Sequence, residues 1–293
     1  MSSHHHHFGA SSGSSERRLW WAVGANMLLT VAQVIGGMVS GSLSLVADAL
    51  HNFSDAASLL IALVAIRIGR KPPDELKSFG YKRAETVAAL INLTTLILIG
   101  LYLVFEALKR FYSPEEVEGW TVIYVAGLAL VVDIFTAVLT YSDSKNSMNI
   151  RAAFLHNVTD ALASVGVILA GTLILLFRWV WADAAMTILI AGYVLWLSFR
   201  EMPKVIHLLM DGTPAGIEIK DVIGAMQSVE GVANVHHVHI WQLDEQRNAL
   251  EAHVVLENCE AMNDVKLQIK QLLLEKFQIA HTTLEIENYP CGE

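Results

Sequence analysis

The chain reads as an α-helical membrane protein: six transmembrane helices followed by a small α+β domain. Three observations carry that reading. Of 293 residues, 54% are hydrophobic and only 17% charged, against about 25% charged in soluble proteins, and mean hydropathy is +0.45. Six stretches are apolar over the ~20 residues a bilayer crossing needs. At Asp211 the long apolar runs give way to shorter helical and strand periods.

The spans fall at 19–39, 43–67, 84–108, 120–141, 150–177 and 181–200. Ser40-Gly41-Ser42 is too short a loop for anything but a tight antiparallel pair. An even number of spans puts both termini on one side. Arg17, Arg18, Arg67, Arg70, Lys71, Lys77, Lys82, Arg83, Lys145, Arg151, Arg200 and Lys204 all belong to that side, which is therefore cytoplasmic. The opposite loops carry no Lys or Arg at 40–42 and are acidic at 112–119. Lys109, Arg110 and Arg178 are exceptions that can snorkel from helix ends. The expected location is a bacterial inner membrane, crossed several times.

Residues 1–18 form a polar tail, 19–210 the membrane domain and 211–293 a cytoplasmic domain. His4 to His7 are either a metal-capturing tract or a cloning remnant and are left out of the fold. No small-residue cleavage site follows an apolar core of signal-peptide length. In the last domain, Asp211-Gly-Thr-Pro214 is a turn. Residues 216–229 and 262–277 have helical periodicity, and 235–243, 250–256 and 282–286 read as strands. The order α-β-β-α-β is of ferredoxin-like type. Cys259 and Cys291 are too few for a disulfide framework and fit a reducing compartment. A net charge of −9 without a basic arm argues against nucleic acid as a partner.

Leu50-His-Asn-Phe-Ser-Asp-Ala56 recurs as Leu155-His-Asn-Val-Thr-Asp-Ala161, in the second and fifth spans. Each copy sets a His and an Asp four residues apart, on one helix face: His51 with Asp55, His156 with Asp160. Ionisable groups inside spans are costly and mark ion or proton pathways. Two imidazoles and two carboxylates complete a tetrahedral zinc shell, and their charge balances one divalent cation. When the metal leaves, the uncompensated carboxylates call for protons, so one set of ligands suffices for metal/proton exchange. Cadmium, cobalt, nickel and ferrous iron fit similar ligands.

Asp48 shares the face of His51 and Asp55, either supporting His51 or sitting at the interface. Asn52 and Asn157 follow each His, as interhelical hydrogen bonders or as supports of the site. Asp133, in the fourth span, either lines the pathway or pairs with a polar neighbour.

These residues resemble the cation diffusion facilitator family. The resemblance runs from about residue 16 to the end. It rests on Gly41-Ser-Leu-Ser-Leu-Val-Ala-Asp-Ala-Leu-His51, Asp55, Phe79-Gly-Tyr-Lys-Arg-Ala-Glu85, His156 and Asp160. It implies a homodimeric Zn2+/H+ antiporter in the lipid bilayer, with its transport site between the second and fifth spans. The two-His, two-Asp version implies zinc. The family's cytoplasmic metal site matches His236, His253 and Glu287, with Glu285 and Asp264 as weaker matches, so zinc can also be structural or regulatory there. Glu stands where relatives often have His; Cys291 is either a further soft ligand, as terminal cysteines are in some relatives, or an inert thiol. Arg83 and Asp211 match a charge interlock. The loop 71–81 has no histidine, and no metal is expected in it.

Among other functions, an intramembrane zinc hydrolase needs an open coordination position and a nucleophilic water; the filled shell and the lack of His-Glu-x-x-His disfavour it. A membrane metal sensor would need an output module, and nothing here resembles one.

Overall fold

The computed structural model describes residues 13–144, 148–244, 247–258 and 262–287, without the side chains of 13–23, 25–26, 55, 59, 62–63, 139–140 and 142–153. His4 to His7, Lys145, Cys259 and Cys291 lie outside the described residues, as do the side chains of Arg17, Arg18, Asp55 and Arg151. Among the described residues eight helices and three strands follow in order: α1 (Gly13–Ser40), α2 (Leu43–Gly69), α3 (Arg83–Tyr112), α4 (Gly119–Ser144), α5 (Met148–Phe177), α6 (Trp181–Leu209), α7 (Ile219–Gln227), β1 (Val232–Gln242), β2 (Asn248–Leu256), α8 (Met262–Phe277) and β3 (Ile279–Glu287). The first six are the six expected spans. Among the described residues, α3, α6 and most of α4 and α5 are long and apolar enough to cross a membrane, with a shorter apolar stretch at Met27–Ser40.

Two compact units result: the described residues up to Ala62 with Ile91–Glu201, and Leu63–Leu90 with Met202 onward. The first is built from α1, α4 and α5 with the parts of α2, α3 and α6 that fall within it. Its interior is small: Ala47, Ala107, Ala126, Ala184 and Ala191 let helices approach around Leu45, Leu103 and Val167. Large apolar residues such as Leu28, Leu98, Phe105 and Leu162 face outward, as lipid-facing surface should. Gly41 has φ +71°, and a Cβ there would meet Glu116 O at 2.8 Å, so only glycine fits this turn.

In the second unit, β1 and β2 pair antiparallel and β2 and β3 pair parallel, in the order β1-β2-β3. Helix α8 is the crossover that a parallel pair requires. One face of the sheet is covered: Val235, Ile240, Leu250 and Val254 pack with Val222 and Met226 of α7 and Ile269 and Leu273 of α8. The other face carries the histidines.

The boundaries depart from the expected ones in two informative places. The sixth helix runs beyond residue 200 to Leu209, through Pro203. Its polar end at Arg200, Glu201 and Lys204 marks where apolar sequence stops, which is not where the helix stops. Asp211 closes it in the left-handed region at φ +56°, a conformation Asp tolerates better than most residues. Each strand also starts two or three residues early, since pairing recruits flanking residues that alternation does not mark.

Candidate metal centres

Within the first unit, α2 and α5 bring the repeats together. His51 Nε2 lies 3.7 Å from Asp160 Oδ1, and His156 Nε2 lies 3.4 Å from Asp160 Oδ2. The two imidazoles meet edge-on with centroids 5.9 Å apart. One donor atom from each of His51, His156 and Asp160 falls within 4.8 Å of the others, a spacing one metal ion can bridge. Exposure is uneven: the Asp160 side chain is 5% exposed, His51 13% and His156 45%. Asp55 stands one turn after His51 on α2.

A polar network missed from sequence backs this site. Gln33 of α1 is fully buried; its Nε2 donates to Asp48 Oδ2 at 2.5 Å, and its Oε1 accepts from Asn52 Nδ2 at 3.1 Å. Asp48 and Asn52, on either side of His51, are thus tied to α1. Asp133 of α4 is buried and accepts from Ser164 Oγ of α5 at 3.0 Å. Asp48, Asp133 and Asp160 lie close enough to feel one another's charge. Asn157 is half-buried on α5. The only signal for Gln33 in the sequence was an amide in an apolar run, a mark it shares with Asn26.

Asp183 was missed as well. This buried carboxylate, in the first turn of α6, accepts from Ser42 Oγ (2.5 Å), Ser44 Oγ (2.6 Å) and the backbone N–H groups of Leu43 (2.7 Å) and Ser44 (3.3 Å). It therefore caps α2 from another helix. Arg110 adds a 2.6 Å bond to Gly41 O and a 3.5 Å approach to Asp183. The end of α2 that carries the ligand face is thereby fixed in position.

The second centre lies on the uncovered face of the sheet. His236 stands opposite His253 in the β1–β2 register, while Glu285 and Val255's partner Glu287 come from β3. His253 Nδ1 is 2.5 Å from Glu287 Oε1, His253 Nε2 is 3.5 Å from Glu285 Oε2, and His236 Nε2 is 3.5 Å from Glu287 Oε2. Donors of His236, His253 and Glu287 again fall within 4.8 Å of one another. Both ring nitrogens of His236 are buried without a hydrogen-bond partner among the described residues. Buried ring nitrogens left so are costly unless something ligates them. Two nitrogens and a carboxylate oxygen suit zinc, so the residues fit the expected metal. Asp264 is exposed in the first turn of α8, and His281 packs edge-on against Phe79 at 5.6 Å.

Arg83 and Asp211, both in the second unit, are in direct contact. Arg83 also donates to Gln242 O at 3.2 Å and Leu243 O at 3.4 Å, and Lys82 lies 3.7 Å from Asp244. In the loop before them, Asp74 accepts from Tyr81 Oη at 2.7 Å and from the N–H groups of Leu76 and Lys77. The Tyr81 hydroxyl, then the Lys77 amide, hold the Asp74 carboxyl below its usual range, and the same bond pushes the Tyr81 phenol up. No metal-binding cluster occurs in this loop among the described residues.

A bundle of apolar helices with two converging repeats of ionisable residues defines a multi-pass transporter of metal cations. Residues 19–210 match the cation efflux transmembrane domain family, and 214–289 match the cation efflux protein cytoplasmic domain. The chain belongs to the cation diffusion facilitator family of cation-efflux proteins. It is 39% identical over 261 residues (88% of this chain, 83% of the relative) to the "Cadmium, cobalt and zinc/H(+)-K(+) antiporter" of Bacillus velezensis. It is 39% identical over 270 residues (90% and 82%) to the "Zinc transporter ZitB" of Pectobacterium atrosepticum. The "Metal cation efflux system protein CzcD" of Cupriavidus metallidurans is 35% identical over 267 residues (90% and 84%).

Proposed function

We propose that the chain exports Zn2+ from the cytoplasm in exchange for H+, by alternating access around a tetrahedral site of His51, Asp55, His156 and Asp160. The main support is the convergence of His51, His156 and Asp160 from two separate helices. Two neutral imidazoles and two carboxylates neutralise a divalent cation. Once it leaves, Asp160 and the buried Asp48 and Asp133 form a concentration of negative charge that protons can neutralise. Both termini lie in the cytoplasm, residues 19–210 act as the transport domain, and 211–293 dimerises two copies. In that domain His236, His253 and Glu287, with Glu285 beside them, hold a structural or regulatory zinc, to which they would supply ligands.

The names of the relatives support zinc and protons, and those from Bacillus favour a second reading: cadmium or cobalt carried by the same device, with K+ as an additional counter-ion. The test is reconstitution in liposomes with zinc and pH indicators read together. Zinc flux should be accompanied by opposite proton movement; zinc moving without it sinks the exchange. Replacing K+ by choline, and competing with Cd2+ or Co2+, decides the second reading. Transport surviving Asp160→Asn would mean that the site is assigned wrongly.

A further inference from the structure

We propose that His237 is the fourth protein ligand of the metal site on the sheet, closing a tetrahedron with His236, His253 and Glu287. This rests on the reading of those three residues as ligands and adds to it a residue that regular strand geometry would place on the other face.

The register shows why it does not lie there. Between His236↔His253 and His239↔Glu251, β1 has two residues where β2 has one. That extra residue is a β-bulge, and His237 sits in it at φ +48°. Without the bulge, His237 would alternate away from His236 and point at the helices. With it, Val238 takes the covered side and packs against the core. The His237 ring instead lies over the open face, 4.9 Å from the ring of His253 and 4.8 Å from that of His239. A left-handed conformation is uncommon for His and costs energy, and such strain clusters at functional sites.

The donor count points the same way. Three donors converge, whereas a structural zinc site takes four. Glu285 is the obvious rival. It approaches His253 at Nε2, however, while Glu287 approaches at Nδ1. An imidazole gives an ion one nitrogen, so these two carboxylates cannot share one metal through His253. Two imidazoles on one zinc hold their nitrogens within about 4 Å, twice the Zn–N distance, and rings 4.9 Å apart can reach that. His237 is exposed while His236 and His253 are half-buried, so its ring closes the site from the solvent side.

The experiment uses the full chain in detergent with Asp160→Asn to silence the intramembrane site. It is loaded with Co2+, whose visible spectrum reports coordination, and titrated with a chelator. The difference between this parent and the same chain with His253→Ala defines the signal of the sheet site. His237→Asn keeps a residue that tolerates positive φ, and His237→Gly is the second variant should Asn not fold. Either should weaken Co2+ and Zn2+ binding by at least about tenfold and change the cobalt band, with His239→Asn leaving both as in the parent. If His253→Ala binds like the parent, the sheet site itself is misread and the proposal goes with it. If His253→Ala loses the metal while His237→Asn and His237→Gly keep parental affinity and spectrum, the site stands and His237 is not its ligand.

Discussion

His51 Nε2 lies 3.7 Å from Asp160 Oδ1, so a His from one copy of the repeat meets the Asp of the other. His156 approaches the second oxygen of that carboxylate at 3.4 Å. Asp160 is thus the residue common to both imidazoles, and it is the most buried of the three.

This asymmetry ranks the ligands. Asp160→Asn removes a charge that no solvent group can replace and should reduce zinc transport to the level of empty liposomes. His156→Ala removes a neutral donor and leaves both carboxylates, and with them the charge balance of the site. That variant should keep measurable transport with apparent zinc affinity reduced about 10- to 100-fold. The check is zinc uptake against concentration in proteoliposomes. Equal loss in both variants would mean that the ligand's charge does not set the order.

Much of this was legible in sequence because it was repeated or periodic. Two copies of His-Asn-x-[Ser/Thr]-Asp in apolar runs identify the α2–α5 pair, since the bilayer leaves few other reasons for ionisable residues there. What stayed hidden depends on three-dimensional proximity. Gln33 carries no charge and no motif, yet it bridges Asp48 and Asn52. Asp183 looks like a helix-start acid, and nothing in sequence says that it caps α2. The alternation in β1 predicts the wrong face for His237, because a bulge inserts one residue and shifts the period. The end of α6 was missed because hydropathy reports the edge of the lipid, not of the helix.

The Asp183 cap should matter more to stability than an ordinary one. Asp183→Ala removes the shared acceptor of two hydroxyls and two backbone donors at the α2 start, and with it the carboxylate facing Arg110. A simple cap loss costs about 0.5–2 kcal/mol, and breaking a buried charged contact about 3–5 kcal/mol. The expected cost lies between these, nearer the second. Thermal unfolding of the detergent-solubilised protein measures it. A shift no larger than that of Ser42→Ala, which removes one hydroxyl donor to Asp183, would show that the carboxylate is not the anchor.

The loop before α3 should be insensitive to pH across the range in which transport is assayed. The Tyr81 hydroxyl and the Lys77 amide lower the Asp74 carboxyl from its ordinary 3.8. Its contribution to stability is present above that value and is lost only as pH falls through the lower, folded one. Tyr81 is shifted upward from 10.0, so its contribution is complete below 10 and disappears as pH rises through the higher, folded value. Between these limits the clamp stays closed. Hydrogen exchange at the Leu76 and Lys77 amides, corrected for intrinsic rates, should show constant protection from about pH 5 to 8. Tyr81→Phe should shift loop opening toward higher pH in the acid range. Protection that changes steeply near neutrality would contradict this assignment.

Arg83 should outweigh its partner Asp211. The ion pair is partly exposed, and such pairs contribute about 0–1 kcal/mol. Arg83 does more, because it also reaches the carbonyls of Gln242 and Leu243 at the end of β1. Hydrogen bonds from a charged donor are worth about 1.5–3 kcal/mol each where buried, and less at this exposure. Asp211 carries a compensating cost, since its φ of +56° favours glycine. Arg83→Ala should therefore destabilise most, and Asp211→Ala less. Asp211→Gly should be near neutral, because relief of the left-handed strain offsets the lost pair. Thermal unfolding of the three variants in one detergent gives the order. If Asp211→Gly destabilises as much as Arg83→Ala, the ion pair alone is the clamp and the carbonyl contacts contribute little.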